Sequence, residues 1–289
     1  MTHTSQNQAG PFKAACIQVN ATNDMAANIA AATKLTRDAV ASGASFVLMP
    51  ENVSMMEWGR DNITAKAMPE SEHAALKAFR ALAQELRIWL HCGSLAIKLP
   101  DGKIANRTYV VTPEGNVAAK YDKIHMFDVD LGGGEKYVES AVFNAGKQAV
   151  TVDLPWGRLG LSICYDLRFA HLYRHLAQVG ADFLTIPAAF TQLTGEAHWH
   201  VLQRARAIET GCFVLSPAQT GTHAGGRKTY GHSLIINPWG EVLADAGTEP
   251  GFITATIDPA EVASARGRVP AITKDTGFAP AIAPAAAAQ

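Results

Sequence analysis

The sequence predicts an α/β fold of two β-sheets packed face to face with helices outside. Three observations predict it. Strand-like and helix-like segments alternate from end to end, as in a layered α/β domain. Apolar residues make up 48% of the 289-residue chain and charged residues 18%, against about 25% charged in a typical domain, so much surface must be buried. Two pairs of segments also echo each other. Gly43-Ala-Ser-Phe-Val-Leu-Met-Pro50 matches Gly180-Ala-Asp-Phe-Leu-Thr-Ile-Pro187, and Val110-Val-Thr-Pro-Glu-Gly115 matches Ile235-Ile-Asn-Pro-Trp-Gly240. Each of the second pair is an apolar strand running into a Pro-x-Gly turn. A helix–strand unit followed by a hairpin thus occurs twice, which predicts two similar halves around one core. Chance reuse of common connector residues is the alternative.

Each element has a local reason. Phe12 to Val19 is a short apolar run with β character. Asn23 or Asp24 can cap a helix carrying Met25, Ile29, Leu35 and Ala39 on one side. Phe46 to Met49 reads as a buried strand stopped by Pro50, and Glu72 to Arg87 as a helix. Ile88 to Lys98, Asn106 to Thr112, Gly160 to Ile163 and Phe183 to Ile186 read as strands, with a helix beginning near Phe169. Ala197 to Thr210 reads as a helix, and Cys212 to Ser216, Ser233 to Ile236 and Phe252 to Ile257 as the last strands. The predicted organisation is a flexible N-terminus (1–11), a single domain (12–266) and an Ala/Pro-rich tail (267–289) without amphipathic pattern, either mobile or laid across a partner subunit.

Composition excludes several functions. With 25 basic and 26 acidic residues the net charge is −1, so neither nucleic acid nor an anionic membrane is an expected partner. No apolar run approaches the roughly 18 residues that span a bilayer. Met1 to Pro11 is polar and lacks the apolar stretch of a secretory signal. Four cysteines do not make a disulfide framework in so long a chain. A cytoplasmic, reduced protein is expected.

Cys164 follows the run Gly160-Leu-Ser-Ile and precedes a helix. A thiol in such a turn, near a helix N-terminus, has a lowered pKa and backbone N–H groups beside it for an oxyanion; a small buried hydrophobe is the equal alternative. Cys16, Cys92 and Cys212 lie inside apolar strands and read as core. Glu51 follows a strand and Pro50, where α/β sheets gather ligands; a half-buried carboxylate there should have a raised pKa, as an acid/base needs. A surface glutamate is the commoner meaning of that position. Lys123 lies in a mixed segment, Lys120 to Asp128, and the residues alone do not single it out. His198 and His200 point apart on a helix, and His-Glu-x-x-His and paired Cys-x-x-Cys motifs are lacking, so zinc is not expected. Gly221 to Thr229 fails as a phosphate loop, because it has an extra residue before the lysine and a strand follows. Gly132-Gly-Gly134 reads as a loop near the site, and Arg204 and Arg206 as ion-pairing groups with Glu209.

Pro50-Glu51, Lys123-Ile-His125 and Gly160-Leu-Ser-Ile-Cys-Tyr-Asp-Leu-Arg-Phe169 together resemble the nitrilase superfamily of carbon–nitrogen hydrolases. Ile186 to Thr191, Gly195 to Trp199, Arg204 to Thr210, Tyr230 to Ser233 and Asn237 to Gly240 resemble its Nit branch of amidases. The resemblance runs from about residue 12 to residue 270. It implies a four-layer αββα sandwich that dimerises into an αββα–αββα stack. It implies that Cys164 is the nucleophile, that Lys123 and the Tyr165 N–H hold the oxyanion, and that Glu51 is the acid/base. Glu139 would orient substrate and manage protons. It implies no metal or organic cofactor, a small carboxylate-bearing amide as substrate, and a homodimer. The chain departs from the branch after Arg268-Val-Pro270, where relatives carry a basic, aromatic tail.

Arg168 is a candidate for binding the substrate carboxylate, with a salt bridge to Asp166 or another neighbour as the equal alternative; Phe127, Phe190 and Thr191 are candidates for the pocket wall. Gln203 to Thr210 and the loop at Thr220 resemble the deaminated glutathione amidase side of the branch more than its omega-amidase side, which implies an amine rather than ammonia as the leaving group. The alternatives are an omega-amidase on 2-oxoglutaramate-type amides, an aliphatic amidase or nitrilase, a silent interaction scaffold, or a Cys–His hydrolase of another fold.

Overall fold

The computed structural model describes residues 10–274 and 276–279. Helix α1 (Met25–Ala41) begins where the Asp24 side chain accepts from the N–H groups of Ala26 and Ala27, as a cap should. Its buried line is Asn28, Ala32, Thr36 and Ala39, while Ile29 and Leu35 flank it. The expected face is thus rotated, because small residues let the helix lie close to its sheet. The other helices are α2 (Arg60–Lys66), α3 (Ala74–Leu86), α4 (Ala170–Gln178), α5 (Gln192–Thr210) and α6 (Ala260–Arg268).

The first sheet has eight strands. Phe12–Gln18, Phe46–Leu48 and Trp89–His91 pair in parallel, and Ile104–Val111 then pairs antiparallel and forms a hairpin with Val117–Asp122. Gly251–Ile257 closes the other edge against Phe12–Gln18. The second sheet has six strands. Gly157–Leu161, Phe183–Thr185 and Phe213–Ser216 pair in parallel, and Leu234–Ile236 then pairs antiparallel and forms a hairpin with Val242–Asp245. The two sheets repeat one plan. The correspondence reaches detail: each hairpin bears an irregularity at the echoing positions, Val110/Val111 and Ile235/Ile236, and each turn ends on a glycine of positive φ, Gly115 and Gly240.

Phe12, Phe46 and Val110 of the first sheet meet Leu159, Leu161, Phe183 and Phe213 of the second in the central core. The opposite face of the first sheet buries Ile17, Val47 and Leu90 against Phe79 and Leu82 of α3. α4 and α5 cover the second sheet from outside. The result is the αββα sandwich. Short strands buried on both faces, such as Phe46–Leu48 and Leu234–Ile236, are wholly apolar, so the alternation of a half-exposed strand is missing from them.

The predicted strand Ile88 to Lys98 is two strands, Trp89–His91 and Leu95–Lys98, divided at Gly93. The predicted helix from Ala197 begins earlier, at Gln192, and the predicted helix from Glu72 begins at Ala74. α6 runs to Arg268, and Ile272 packs into the central core, so the beginning of the Ala/Pro-rich segment belongs to this chain's own packing. The expectations for residues 1–9 and for the end of the tail lie outside the described residues. Cys16, Cys92 and Cys212 are buried and free.

Candidate active site

The carboxyl ends of the parallel strands in both sheets converge on one cavity of about 340 Å³. Glu51, Lys123, Glu139 and Cys164 all line it. Cys164 lies three residues beyond the strand Gly157–Leu161, has φ +50°, the left-handed region, and opens a 3-10 turn, Cys164–Arg168. Such backbone strain at a turn presents a side chain outward from the sheet end. Its N–H is held by the carbonyl of Pro187 at 3.0 Å. The N–H of Tyr165 has no acceptor among the described residues and is the next amide in the turn.

Asp166, fully buried, fixes that turn. Its carboxylate accepts from the Ile163 N–H (2.9 Å), the Tyr121 hydroxyl (2.7 Å) and the His125 N–H (3.0 Å), and contacts His125 Nδ1 at 2.7 Å. Tyr121 and His125 flank Lys123, so one side chain ties the lysine segment to the cysteine turn.

Glu51 stands beyond the strand Phe46–Leu48. Its carboxylate accepts from Lys123 Nζ at 3.0 Å, Asn106 Nδ2 at 2.9 Å and the Ala189 N–H at 2.8 Å. Lys123, only 2% exposed, also donates to both Glu139 oxygens at 3.0 and 2.8 Å. Glu139 accepts from the Phe127 N–H at 2.6 Å, which fixes it from the other side.

The charges are not as expected. Burial works to raise the Glu51 pKa, but the Lys123 ammonium, the Cys164 contact and the Arg227 charge together hold it below the usual carboxylate range. The expected rise considered burial alone. Burial, and then the Glu51 carboxylate, push the Cys164 thiol up, against Lys123. The expected fall considered the helix end alone. Burial opposes the Lys123 charge, but Glu139 and Glu51 outweigh it and hold the ammonium protonated. The resting state is therefore a neutral thiol beside an ionised base. Passing the proton from sulfur to Glu51 leaves the net charge of the cluster unchanged, which keeps that step accessible in a site of low dielectric.

Phe127, Tyr165, Phe190 and Thr191 line the cavity, and Arg168 does not. The Arg168 guanidinium lies over the rings of Phe190 (5.1 Å) and Tyr165 (5.9 Å) and near His198 Nδ1 (3.3 Å). Asp166 is taken by other donors, and among the described residues no carboxylate forms an ion pair with Arg168, which stands outside the cavity lining. Arg206 does ion-pair with Glu209 at 2.8 Å, whereas Arg204 donates to the Gly240 carbonyl.

Residue reasoning missed Asn106, which donates to both Glu51 and Glu139, and Arg227, Tyr137 and Trp58, which line the cavity. An asparagine inside an apolar strand was a readable signal; an arginine in a glycine-rich loop was a weak one. Outside the cavity, His200, His232 and Asp245 bring possible metal-ligand atoms within 4.8 Å of one another, and Asp245 accepts from both imidazoles.

The sequence matches the carbon-nitrogen hydrolase family over residues 13–267. It is 40% identical to the deaminated glutathione amidase of Synechocystis, over 91% of this chain and 97% of that protein. It is 36% identical to human omega-amidase NIT2, over 90% of this chain and 93% of that one. Among solved structures, the Caenorhabditis elegans NitFhit protein superposes with a TM-score of 0.86 at 34% identity, covering 93% of this chain and 66% of that chain. Saccharomyces cerevisiae Nit3 superposes with a TM-score of 0.83 at 27% identity, over 92% and 97% of the two chains. With its fold, its site and these relatives in agreement, the chain belongs to the carbon–nitrogen hydrolase family and hydrolyses carbon–nitrogen bonds other than peptide bonds.

Proposed function

We propose that the chain is an amidase acting through a thioester on Cys164, and that its substrate is deaminated glutathione. The observation that carries the chemistry is the meeting of thiol, carboxylate and ammonium in one cavity. Glu51 takes the Cys164 proton as sulfur bonds to the amide carbon, and the carbonyl π electrons move to oxygen. Lys123 Nζ and the Tyr165 N–H receive that oxyanion. As the carbonyl re-forms, the carbon–nitrogen bond breaks and Glu51 gives the proton to the leaving amine, here cysteinylglycine. Glu51 then deprotonates a water that attacks the thioester. Collapse releases 2-oxoglutarate, and the proton returns to sulfur. Glu139 orients Lys123 throughout. The substrate is supported by the 40% identity to a protein named for that activity. Omega-amidase activity, releasing ammonia from 2-oxoglutaramate, is the second reading, supported by the 36% identity to NIT2.

We also propose a homodimer in a reduced, cytoplasmic setting. Leu193, Val201 and Ile208 are 55%, 68% and 53% exposed along one side of α5, and the turn bearing the half-exposed Trp239 lies against Ile208. Among the described residues all four cysteines are free, and no helix is long and apolar enough to cross a membrane.

The deciding experiment compares kcat/KM for deaminated glutathione, 2-oxoglutaramate, butyramide and butyronitrile. The highest value is expected for deaminated glutathione. A higher value for 2-oxoglutaramate would give the site to the second reading.

A further inference from the structure

Arg227 is a cation in the wall of the catalytic cavity; its charge acts on Glu51, but no carboxylate touches it. Among the described residues no carboxylate forms an ion pair with it. Its Nη2 donates to the Ala189 carbonyl at 2.6 Å, and its guanidinium lies 5.2 Å over the Tyr137 ring. Its Nε is buried without an acceptor. A buried charged donor left unsatisfied is costly unless a ligand completes it. Its place is next to the chemistry: the same residue, Ala189, offers its N–H to Glu51 and its carbonyl to Arg227.

The loop that carries it is held on both sides. The Arg227 carbonyl accepts from the His223 N–H at 2.8 Å, and the His223 imidazole contacts the Ala21 carbonyl at 2.8 Å and the Thr229 hydroxyl at 2.7 Å. Gly225, at φ +73°, sits so close to Trp58 that an added Cβ would be 2.4 Å from its ring. The guanidinium is thus fixed before substrate arrives, which lowers the entropy lost on binding.

We propose that Arg227 binds the carboxylate of the acyl half of the substrate, making the site selective for amides of dicarboxylic acids. This rests on the amidase reading above. The acyl half must stay anchored while it is bonded to Cys164, whereas the amine half must leave, so the fixed inner cation serves the acyl half. The exposed cations at the rim, Arg60 and Lys136, lie where a departing group passes.

The test measures kcat/KM of Arg227→Gln and Arg227→Lys on 2-oxoglutaramate, deaminated glutathione and neutral butyramide, with thermal melting of each variant. The two acids share an acyl half, so both should lose about 100-fold in Arg227→Gln, mostly in KM. The loss on butyramide should be at least about tenfold smaller, and Arg227→Lys should recover part of the acid activity. Inhibition of butyramide hydrolysis by 2-oxoglutarate should weaken in parallel. Equal losses on all three substrates would give Arg227 a structural role through Ala189 and overturn the proposal. A loss confined to deaminated glutathione would move the anchor to the amine half and overturn it too. Wild-type turnover of butyramide alone would overturn the amidase substrate and this assignment together. Wild-type turnover of both acids with undiminished Arg227 variants would overturn this assignment alone.

Discussion

Glu51 and Cys164 touch in the cavity, and the proton transfer proposed between them sets testable behaviour. Burial raises the thiol, so no thiolate should form between pH 6 and 9. Ultraviolet absorbance of the wild type minus Cys164→Ala should stay flat near 240 nm across that range; a rise with a midpoint inside it would contradict this. Cys164→Ala should lose at least about 1,000-fold in turnover while melting like the wild type. Glu51 is ionised more readily in the fold than its ordinary value of 4.5 allows. Its contribution to stability is therefore full above that value and is lost as the pH falls through the lower folded value. The acid limb of kcat/KM should lie below about pH 5, and a midpoint near neutrality would refute Glu51 as the base. Asp166→Asn places an amide against three donors and should destabilise the fold by about 2–4 kcal/mol, read as a lower urea midpoint. At this scale the positions of Glu51 and Cys164 at strand ends were legible, but their protonation was not. That depends on partners such as Lys123, 72 residues from Glu51 in sequence, which only the family resemblance pointed out.

Among the elements, the divided strand at Gly93 matters most for the site. Gly93 has φ +61°, and an added Cβ would lie 1.9 Å from the Pro50 carbonyl, beside Glu51. The neighbouring Ser94 hydroxyl accepts from the Asn52 N–H at 3.0 Å, so this bend supports the Glu51 backbone from both sides. Gly93→Ala should cost about 3 kcal/mol or more and reduce kcat in whatever fraction folds, both measurable on purified protein. The long apolar strands were readable because burial writes itself into composition. α2 (Arg60–Lys66) was not, since it buries no residue and has no apolar face to read. The short hairpin of Asp128–Asp130 and Lys136–Val138 was missed for the same reason: its residues alternate between exposed and half-buried with little apolar signal.

For the whole molecule, the echo between Gly43–Pro50 and Gly180–Pro187 was legible because a repeated layer reuses its connectors, and both sheets follow the same strand plan. The proposed subunit contact is written less directly, in three exposed apolar side chains of α5. Ile208→Asp should shift the protein from dimer to monomer in light scattering at micromolar concentration, because a charge there opposes burial of that stripe. An unchanged mass would place the subunit contact elsewhere.

The base, the ammonium and Asn106 come from the first repeat, and the sulfur and Ala189 come from the second. Each half by itself holds only part of the cluster that lines the cavity. Under the proposed mechanism, a fragment that ends between the two sheets would keep the carboxylate and the ammonium but no thiol for them to serve.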